Sequence, residues 1–493
     1  MFLELDGKGP HYTQLIRALK RAILDGRLAA GARLPPTRLL AQELEMSRTT
    51  VLAAYERLRA EGFIQGRAGA GSYVSALHLA PVATLPRQAI TPPSRYARRI
   101  RHIDDLRPAQ QHYDKRYNLQ YCNPLVNPAL NGIWGRELAR AATHINLEET
   151  SPQGLLGLRQ QICDYLVRRR GVVAAPEDIL VVNGTQQAFS LTARVLLDEG
   201  DSAVLEEPHY FGVRQALLAH GAQLHAVRTD GEGLVCDELP AVAPRLICVT
   251  PSHQFPSGAT MSLPRRLELL RYAAENRCWI LEDDFDGEFR FDTQPLAALR
   301  SLDEGDRVIY VGTFSKTLFG ALRLGYMVLP TALRRDLVTA KYLNDFACPE
   351  IEQAALAHFM ESGGFERHLR LARRELKARY TTLVEALRQH AGDRVEIVDA
   401  PAGMYVLVWL RDCDHAGTEA LIARARAHGL GLHPLAMHYQ QPPPRPGLMF
   451  GYARLSVTAL REAAQLFARC LDEADWQATS ATHWRVAARL AVS

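Results

Sequence analysis

Apolar positions in the first part of the chain recur at helical spacing. Residues 11–26, HYTQLIRALKRAILDG, carry Leu15, Ile16, Leu19, Ile23 and Leu24 on one face, with Gly26 where a helix end would turn. In the stretch GARLPPTRLLAQELEMSRTTVLAAYERLRAEGFI, Pro35 and Pro36 suit a helix start, and Leu39, Leu40 and Leu44 form an apolar face. Ser47 is an N-cap candidate for the next helix, whose expected core face is Val51, Leu52, Tyr55 and Leu58. FIQGRAGAGSYV then predicts a short hairpin bending at Gly66, Gly69 and Gly71. Periodicity fails over 76–112, where Pro81, Pro86, Pro92, Pro93 and the basic run RYARRIRH predict an extended, exposed linker.

Beyond residue 112 the pattern changes. Short apolar runs alternate with helical ones: ILVVNG before a helix from Thr185, SAVLEEP before one from about Phe211, RLICVTPS before one from Leu263, then WILEDD and RVIYVGTF. Such alternation predicts an α/β domain, a mostly parallel sheet covered by helices. VEIVD, GMYVLVWL and GLMFGYARL predict strands of a smaller α+β C-terminal subdomain. The expected organisation is a first, mainly helical domain at 1–75, a linker at 76–112, a large domain at 113–475 whose small subdomain occupies about 375–475, and a tail at 476–493.

Composition narrows the class. The 493 residues exceed one ordinary core. No apolar run is long enough to span a bilayer, and the first residues lack the pattern of a secretion signal. The eight cysteines are scattered, with no C-x-x-C pair or Cys/His cluster, so no metal site and a reducing, cytoplasmic setting are expected. The net charge of +4 is modest, but basic residues outnumber acidic ones over the first hundred positions.

Two short helices, a tight turn and a glycine-bearing hairpin make a winged helix-turn-helix pattern. Its second helix would present Ser47, Arg48, Thr49 and Thr50 at its N-terminal end, where arginine can fork onto guanine and threonine methyls can meet thymine methyls. Arg38 is expected near the DNA backbone, and Arg67, on the wing, at phosphate or the minor groove. A small helical interaction module is the plainer alternative. Residues 11–75 resemble the GntR family almost position by position, which implies DNA binding. Glu45 stands where that family places a glycine or small residue in the turn, and it is expected to be tolerated.

Five polar clusters in the second domain each follow the carboxyl end of an apolar run, where open α/β sheets bind ligands. Gly184-Thr185-Gln186 suits a phosphate at a helix N-terminus, although alone it is an ordinary helix start. Tyr210, in Pro208-His209-Tyr210, can stack on a ring or lie in the core. In TPSHQFPSG, His253 or Gln254 can hydrogen-bond a ring hydroxyl. Asp283, one of three acids in WILEDDFDGEF, can pair with a protonated pyridine nitrogen or with a structural cation. Thr313-Phe314-Ser315-Lys316, with Arg323 following, offers an amine for a Schiff base and groups for a phosphate. Acid, lysine and phosphate ligands in this order point to pyridoxal 5'-phosphate.

The stretch from about 115 to 475 resembles type I aminotransferases. Joined to a GntR-like head, with VTPSHQFPSGATMSLPRRL and GTFSKTLFGALRLGYMVLP, it resembles the MocR/GabR regulators. The resemblance implies Lys316 as the catalytic, cofactor-bearing lysine, Asp283 as the pyridine acid, Thr185, Thr313, Ser315 and Arg323 at the phosphate, and a homodimer. The pattern departs at Phe285, where the subfamily has a tyrosine near the ring oxygen, and at Gly320, where it has a proline. It departs again at Met449, which aligns with the arginine that binds a substrate carboxylate; Arg445 or Arg454 can substitute. The expected function is a DNA-binding regulator whose aminotransferase-like domain senses a small effector: an amine, an amino acid or the cofactor itself. The alternatives are a working aminotransferase with a DNA-binding head, and a DNA-binding protein using the fold as a dimer scaffold.

Overall fold

Three helices, His11–Leu24, Thr37–Glu43 and Arg48–Ala60, and an antiparallel wing of β1 (Ile64–Arg67) and β2 (Gly71–Val74) build the N-terminal unit of the computed structural model. The core stripe of the third helix runs through Val51, Ala54, Tyr55 and Leu58, at i, i+3, i+4 and i+7, and meets Leu15, Leu19, Leu40, Ile64 and Val74. Neighbouring residues on a helix point about 100° apart, so Leu52, beside Val51, falls off this stripe, and Leu39 falls off the buried face of the second helix, which carries Leu40 and Ala41. They are 46% and 55% exposed, which corrects their expected core placement. The Tyr55 hydroxyl donates to the Pro35 carbonyl (2.9 Å), pinning the third helix against the start of the second.

The structure describes residues 3–67, 70–76, 92–101, 103, 115–121, 123–125, 127–144, 150–291, 296–411 and 413–473. They fall into two units, Met1–Pro92 and Pro93–Ser493. Gly69, most of the expected linker and the expected tail lie outside the described residues. Within the linker, however, Arg95–Arg101 is a helix and not an extended segment. It docks on the helix Phe211–His220: Arg99 donates to the Ala219 carbonyl (3.1 Å) and pairs with Glu199 (3.1 Å), while the Tyr96 ring lies 5.9 Å from His220. Charge pairing at one residue and an aromatic contact three residues earlier, on the same helical face, hold a segment whose proline-rich surroundings hid its helical pattern.

In the second unit β3 (Tyr117–Asn118) leads to the strands of the large sheet. These are β4 (Ile179–Val182), β5 (Ser202–Glu207), β6 (Gln223–Asp230), β7 (Gly233–Leu234), β8 (Leu246–Val249), β9 (Trp279–Asp284), β10 (Val308–Thr313) and β11 (Gly325–Val328). Their order is β4-β11-β10-β9-β8-β5-β6-β7. The contacts β10/β9, β9/β8, β8/β5 and β5/β6 are parallel, and β11 runs antiparallel to both neighbours. Every residue of β4, β8 and β10 is buried, as expected of strands covered on both faces.

The smaller sheet contains β12 (Val395–Ile397), β13 (Tyr405–Leu410), β15 (His433–Pro434) and β16 (Gly447–Gly451), in the order β12-β13-β16-β15 and all antiparallel. β14 (Leu430–Gly431) pairs with β3, tying the start of the unit to its end. The expected subdomain boundary near 375 falls inside one long helix, Gly364–Ala391.

Candidate cofactor site and DNA-reading surface

The carboxyl ends of β4, β9 and β10 and the amino end of β11 meet at one rim of the large sheet, because β11 runs the opposite way. Asp283 stands opposite Val311 of the adjacent parallel strand, and Lys316 lies three residues beyond the end of β10. Acid and lysine therefore flank one place on neighbouring strands.

The three successive acids of β9 have different partners. Glu282 accepts from the backbone N–H of Leu299 and Arg300 (2.8 Å each). Asp284 takes the Tyr310 hydroxyl (2.6 Å) and the Arg170 guanidinium (2.6 Å), deep in the core. Asp283, alternating to the other face, has a buried Oδ1 that accepts no hydrogen bond among the described residues. Burial, then the neighbouring Asp284, pushes its carboxyl up to about 8, with Lys316 opposing. A buried acid oxygen lacking a donor fits the protonated nitrogen of a pyridine ring, which it would hold as an electron sink.

The phosphate end fits equally. Gly184 caps the helix Thr185–Leu196 at φ +80°, and a Cβ there would lie 2.8 Å from Arg323 Nη2. Only glycine lets the guanidinium lie against the helix start, where it donates to the Asn183 carbonyl (3.0 Å). A cation at the positive end of a helix dipole calls for an anion between them. Thr313 and Ser315 are buried beside it: the Ser315 N–H donates to Thr313 Oγ1 (3.2 Å), and Ser315 Oγ has no hydrogen-bond partner among the described residues. Thr185 is half-buried at the helix start. Gln186 is exposed, and its amide donates to the Gly212 carbonyl (3.1 Å), so its side chain braces the neighbouring helix.

Around the ring position the aromatic residues converge. Tyr210 is half-buried, 5.6 Å from Phe255 and 6.3 Å from Phe189. Phe285 stacks on His253 (5.9 Å) and meets Phe255 edge-on (5.6 Å). His253 Nδ1 lies 2.9 Å from Asp286, and the ring also stacks on Tyr405. The Gln254 amide nitrogen donates to the carbonyls of Pro208 (2.7 Å) and Phe255 (2.8 Å), and its oxygen accepts from Ser257 N–H (3.0 Å). Gln254 thus builds the turn and has no N–H left for a ring hydroxyl. Of the expected pair, His253, through Nε2, stays a candidate for that contact.

Sequence reasoning missed two participants. Phe255 touches Tyr121, Tyr210, Phe285, Tyr405 and His438 and organises the aromatic wall, yet it reads as one turn residue among prolines. Arg170 draws Asp284 away from the site across more than a hundred residues, a pairing with no local signal. The proposed carboxylate arginines do not assemble. Arg445 grips Glu396 through both Nη atoms (2.5 and 2.8 Å) and lies 4.6 Å over Trp409, and Arg454 is exposed. Met449 is fully buried.

In the N-terminal unit Arg38, Ser47, Arg48, Thr49 and Arg67 are exposed and Thr50 is half-buried. Ser47 Oγ accepts the Thr50 N–H (3.1 Å) and shares hydrogen bonds with the Thr49 and Thr50 hydroxyls (2.7 Å each), so it sets the helix start. Arg38 and Arg48 form no ion pair among the described residues, while the Arg67 guanidinium lies 4.6 Å over the Tyr73 ring. Basic side chains at a helix N-terminus and on a wing have the charge and reach for a DNA groove.

Fold and site together define a DNA-binding head joined to a pyridoxal-phosphate domain. Residues 11–74 match the model of the bacterial regulatory proteins of the gntR family, and residues 130–432 match that of aminotransferase class I and II. The chain is 36% identical over 474 residues, 94% of each chain, to the probable rhizopine catabolism regulatory protein MocR of Rhizobium meliloti. It is 29% identical to the HTH-type pyridoxine biosynthesis transcriptional regulator PdxR of Corynebacterium glutamicum, over 91% of this chain and 93% of the relative. Among solved structures, the α-aminoadipate aminotransferase LysN from Thermus thermophilus, complexed with N-(5'-phosphopyridoxyl)-L-leucine, superposes with TM-score 0.67 at 28% identity, covering 77% of this chain and 97% of that one. The chain belongs to the family of transcriptional regulators that join a gntR-type helix-turn-helix to an aminotransferase class I and II domain. It binds DNA, and its second domain binds pyridoxal phosphate. No described helix is long and apolar enough to cross a membrane.

Proposed function

We propose that cofactor and effector occupancy at the rim around Lys316 changes the affinity of the helix-turn-helix head for its operator. The observation that carries this reading is one chain holding both an acid–lysine–phosphate set with an undonated Asp283 oxygen and a head with exposed Arg38 and Arg48. When bound, the cofactor supplies an aldehyde and an electron-withdrawing ring. Lys316 holds the aldehyde end, Asp283 the ring nitrogen, and Arg323 with Thr185, Thr313 and Ser315 the phosphate. An effector can act on DNA binding only through unequal affinity for two conformations, and a coupling of about 1–3 kcal/mol is the usual scale.

The working unit is a homodimer, with two heads for two half-sites. Leu343 (75% exposed) and Phe346 (56%) support it. They flank Asp345, which binds Asn183 and Gln187 beside the phosphate cradle, so the exposed apolar surface adjoins the cofactor rim. All the described cysteines are free thiols, in keeping with a cytoplasmic protein.

The test is paired: DNA binding with and without pyridoxal phosphate and amine, and amino-group transfer by the same preparation. The regulator reading expects a cofactor-dependent change in DNA affinity. Intact Asp283 and Lys316 favour a second reading, a working aminotransferase, which expects turnover at about 1 per second or faster with DNA affinity indifferent to cofactor.

A further inference from the structure

Two helices start at the cofactor rim. Thr185–Leu196 begins beside Arg323, and Phe211–His220 begins at Tyr210, in the aromatic wall. They are fastened to one another. The Gln186 amide donates to the Gly212 carbonyl (3.1 Å), the Phe189 ring lies 6.3 Å from Tyr210, and Ser190 Oγ lies 3.5 Å from His220 Nε2. Phe189, Ala193, Val213 and Leu217 are buried in one apolar cluster.

The helix Arg95–Arg101 bridges the far ends of both. Glu199, three residues past Leu196, pairs with Arg99 (3.1 Å) and Arg95 (3.7 Å). At the end of the other helix the Ala219 carbonyl accepts from Arg99 (3.1 Å), so a guanidinium meets the negative end of a helix dipole. Gly221 permits this approach: it sits at φ +87°, and a Cβ there would lie 3.2 Å from the Arg99 guanidinium carbon. One arginine thus ties both ends together. The bridging helix is not stable by itself. Seven residues are fewer than an isolated helix needs in water, its four arginines repel one another, and none of its residues is buried. Helix formation and docking are therefore one event with two states, docked and helical or released and unfolded. Pro93 opens the second unit, so this is the first helix the chain reaches beyond the head.

We infer that Arg95–Arg101 is a switch gated by the cofactor site: it docks when a ligand bridges the starts of the two helices, and it is released when that ligand leaves. The inference rests on the reading of this rim as the pyridoxal-phosphate site of a regulator, and it names the element through which that site acts. Its physical basis is a shared requirement. Thr185 takes the phosphate and Tyr210 flanks the ring, which fixes the two helix starts relative to each other. Glu199 and Ala219 must in turn hold one spacing for Arg99 to grip both. Ligand and bridging helix favour the same arrangement, so each strengthens the other by the same factor.

The test uses the full-length protein with and without pyridoxal phosphate. It follows hydrogen exchange of the 95–101 amides, the cofactor's visible band and operator affinity. In the wild type, exchange at 95–101 is expected to slow about fivefold or more when the cofactor binds. Glu199→Ala removes an exposed acid outside the cofactor site, the one that Arg95 and Arg99 share. This variant is expected to keep the visible band, to exchange quickly at 95–101 in both states and to lose the response of DNA affinity to cofactor. Arg99→Ala, which also removes the bond to Ala219, is expected to do the same. Equal exchange in the wild type with and without a formed cofactor band overturns the inference. So does a released helix in a variant that keeps the full DNA response, or a helix that neither variant releases. The wild-type comparison needs no variant and so holds even if both substitutions impair folding. A protein that forms no cofactor band sinks the site reading beneath. Cofactor-dependent exchange with DNA affinity indifferent to cofactor sinks the regulator reading and leaves the gating of the helix standing.

Discussion

At the scale of single residues, Asp283 and Lys316 each carry an expectation that a substitution tests. The folded pKa of Asp283, about 8, lies above the ordinary carboxylate range, so its bound proton stabilises the cofactor-free protein at low pH. That contribution is lost as pH rises through about 8. The urea midpoint of the cofactor-free wild type should therefore fall relative to Asp283→Asn between pH 5 and pH 9. Glu206 and Glu282, both raised to about 7 by burial, shift in the same direction in both proteins and cancel in the comparison. Parallel pH profiles would show that Asp283 is not the strained acid. For Lys316, borohydride reduction of the holoprotein should fix the cofactor to the wild type and leave Lys316→Ala unlabelled. Full labelling of the variant would move the attachment site elsewhere. In the head, Arg48→Ala should cost about 1–3 kcal/mol of operator affinity and relax sequence preference if the arginine forks onto a base. A pure phosphate contact would instead reduce the salt slope by about one unit.

At the scale of elements, the pattern of apolar positions predicted the parts whose signals are local. The strands ending at Val182 and Thr313 were readable because burial on both faces leaves nearly continuous apolar runs, and the apolar start of β9, Trp279 to Leu281, leads into its acids; chemistry at the end of such runs falls at the ligand rim. What could not be read depended on distant partners. Leu39 and Leu52 look like core residues until the orientations of the second and third helices are known, and Arg445 looks like a carboxylate anchor until Glu396 is seen to hold it. Gln254 likewise reads as a ring ligand until its own turn occupies the amide. The helix-turn-helix turn offers a test at this scale. Glu45 sits at φ +53°, a left-handed conformation that costs a non-glycine residue about 1–2 kcal/mol. Glu45→Gly should raise the stability of the head by about 0.5–1 kcal/mol, allowing for glycine's greater freedom when unfolded. An unchanged or lower melting temperature for that transition would mean that Glu45 contributes a contact outweighing its backbone cost.

At the scale of the whole molecule, the cofactor rim and the exposed apolar residues beside it bear on assembly. Sedimentation of the holoprotein at micromolar concentration should give a dimer, and Leu343→Asp or Phe346→Asp should shift it toward monomer. A stable cofactor-bound monomer in the wild type would rule the dimer out. The same variants separate assembly from reading: a monomer should still bind a single half-site weakly through Arg48 while losing the affinity that two linked heads provide.

One reversed strand has a consequence for the topology of the binding rim. Because β11 alone runs against its neighbours on both sides, its starting end, with Arg323 just before it, lies beside the finishing ends of β4 and β10. Running it parallel would carry that guanidinium to the opposite edge of the sheet. Lys316 and Arg323, the proposed covalent anchor and phosphate clamp, therefore share a single hairpin, Thr313 to Gly325. A circular permutation that opened the chain inside this hairpin would unlink amine from anion clamp, whereas the same cut in a remote loop would leave the pair on one continuous segment.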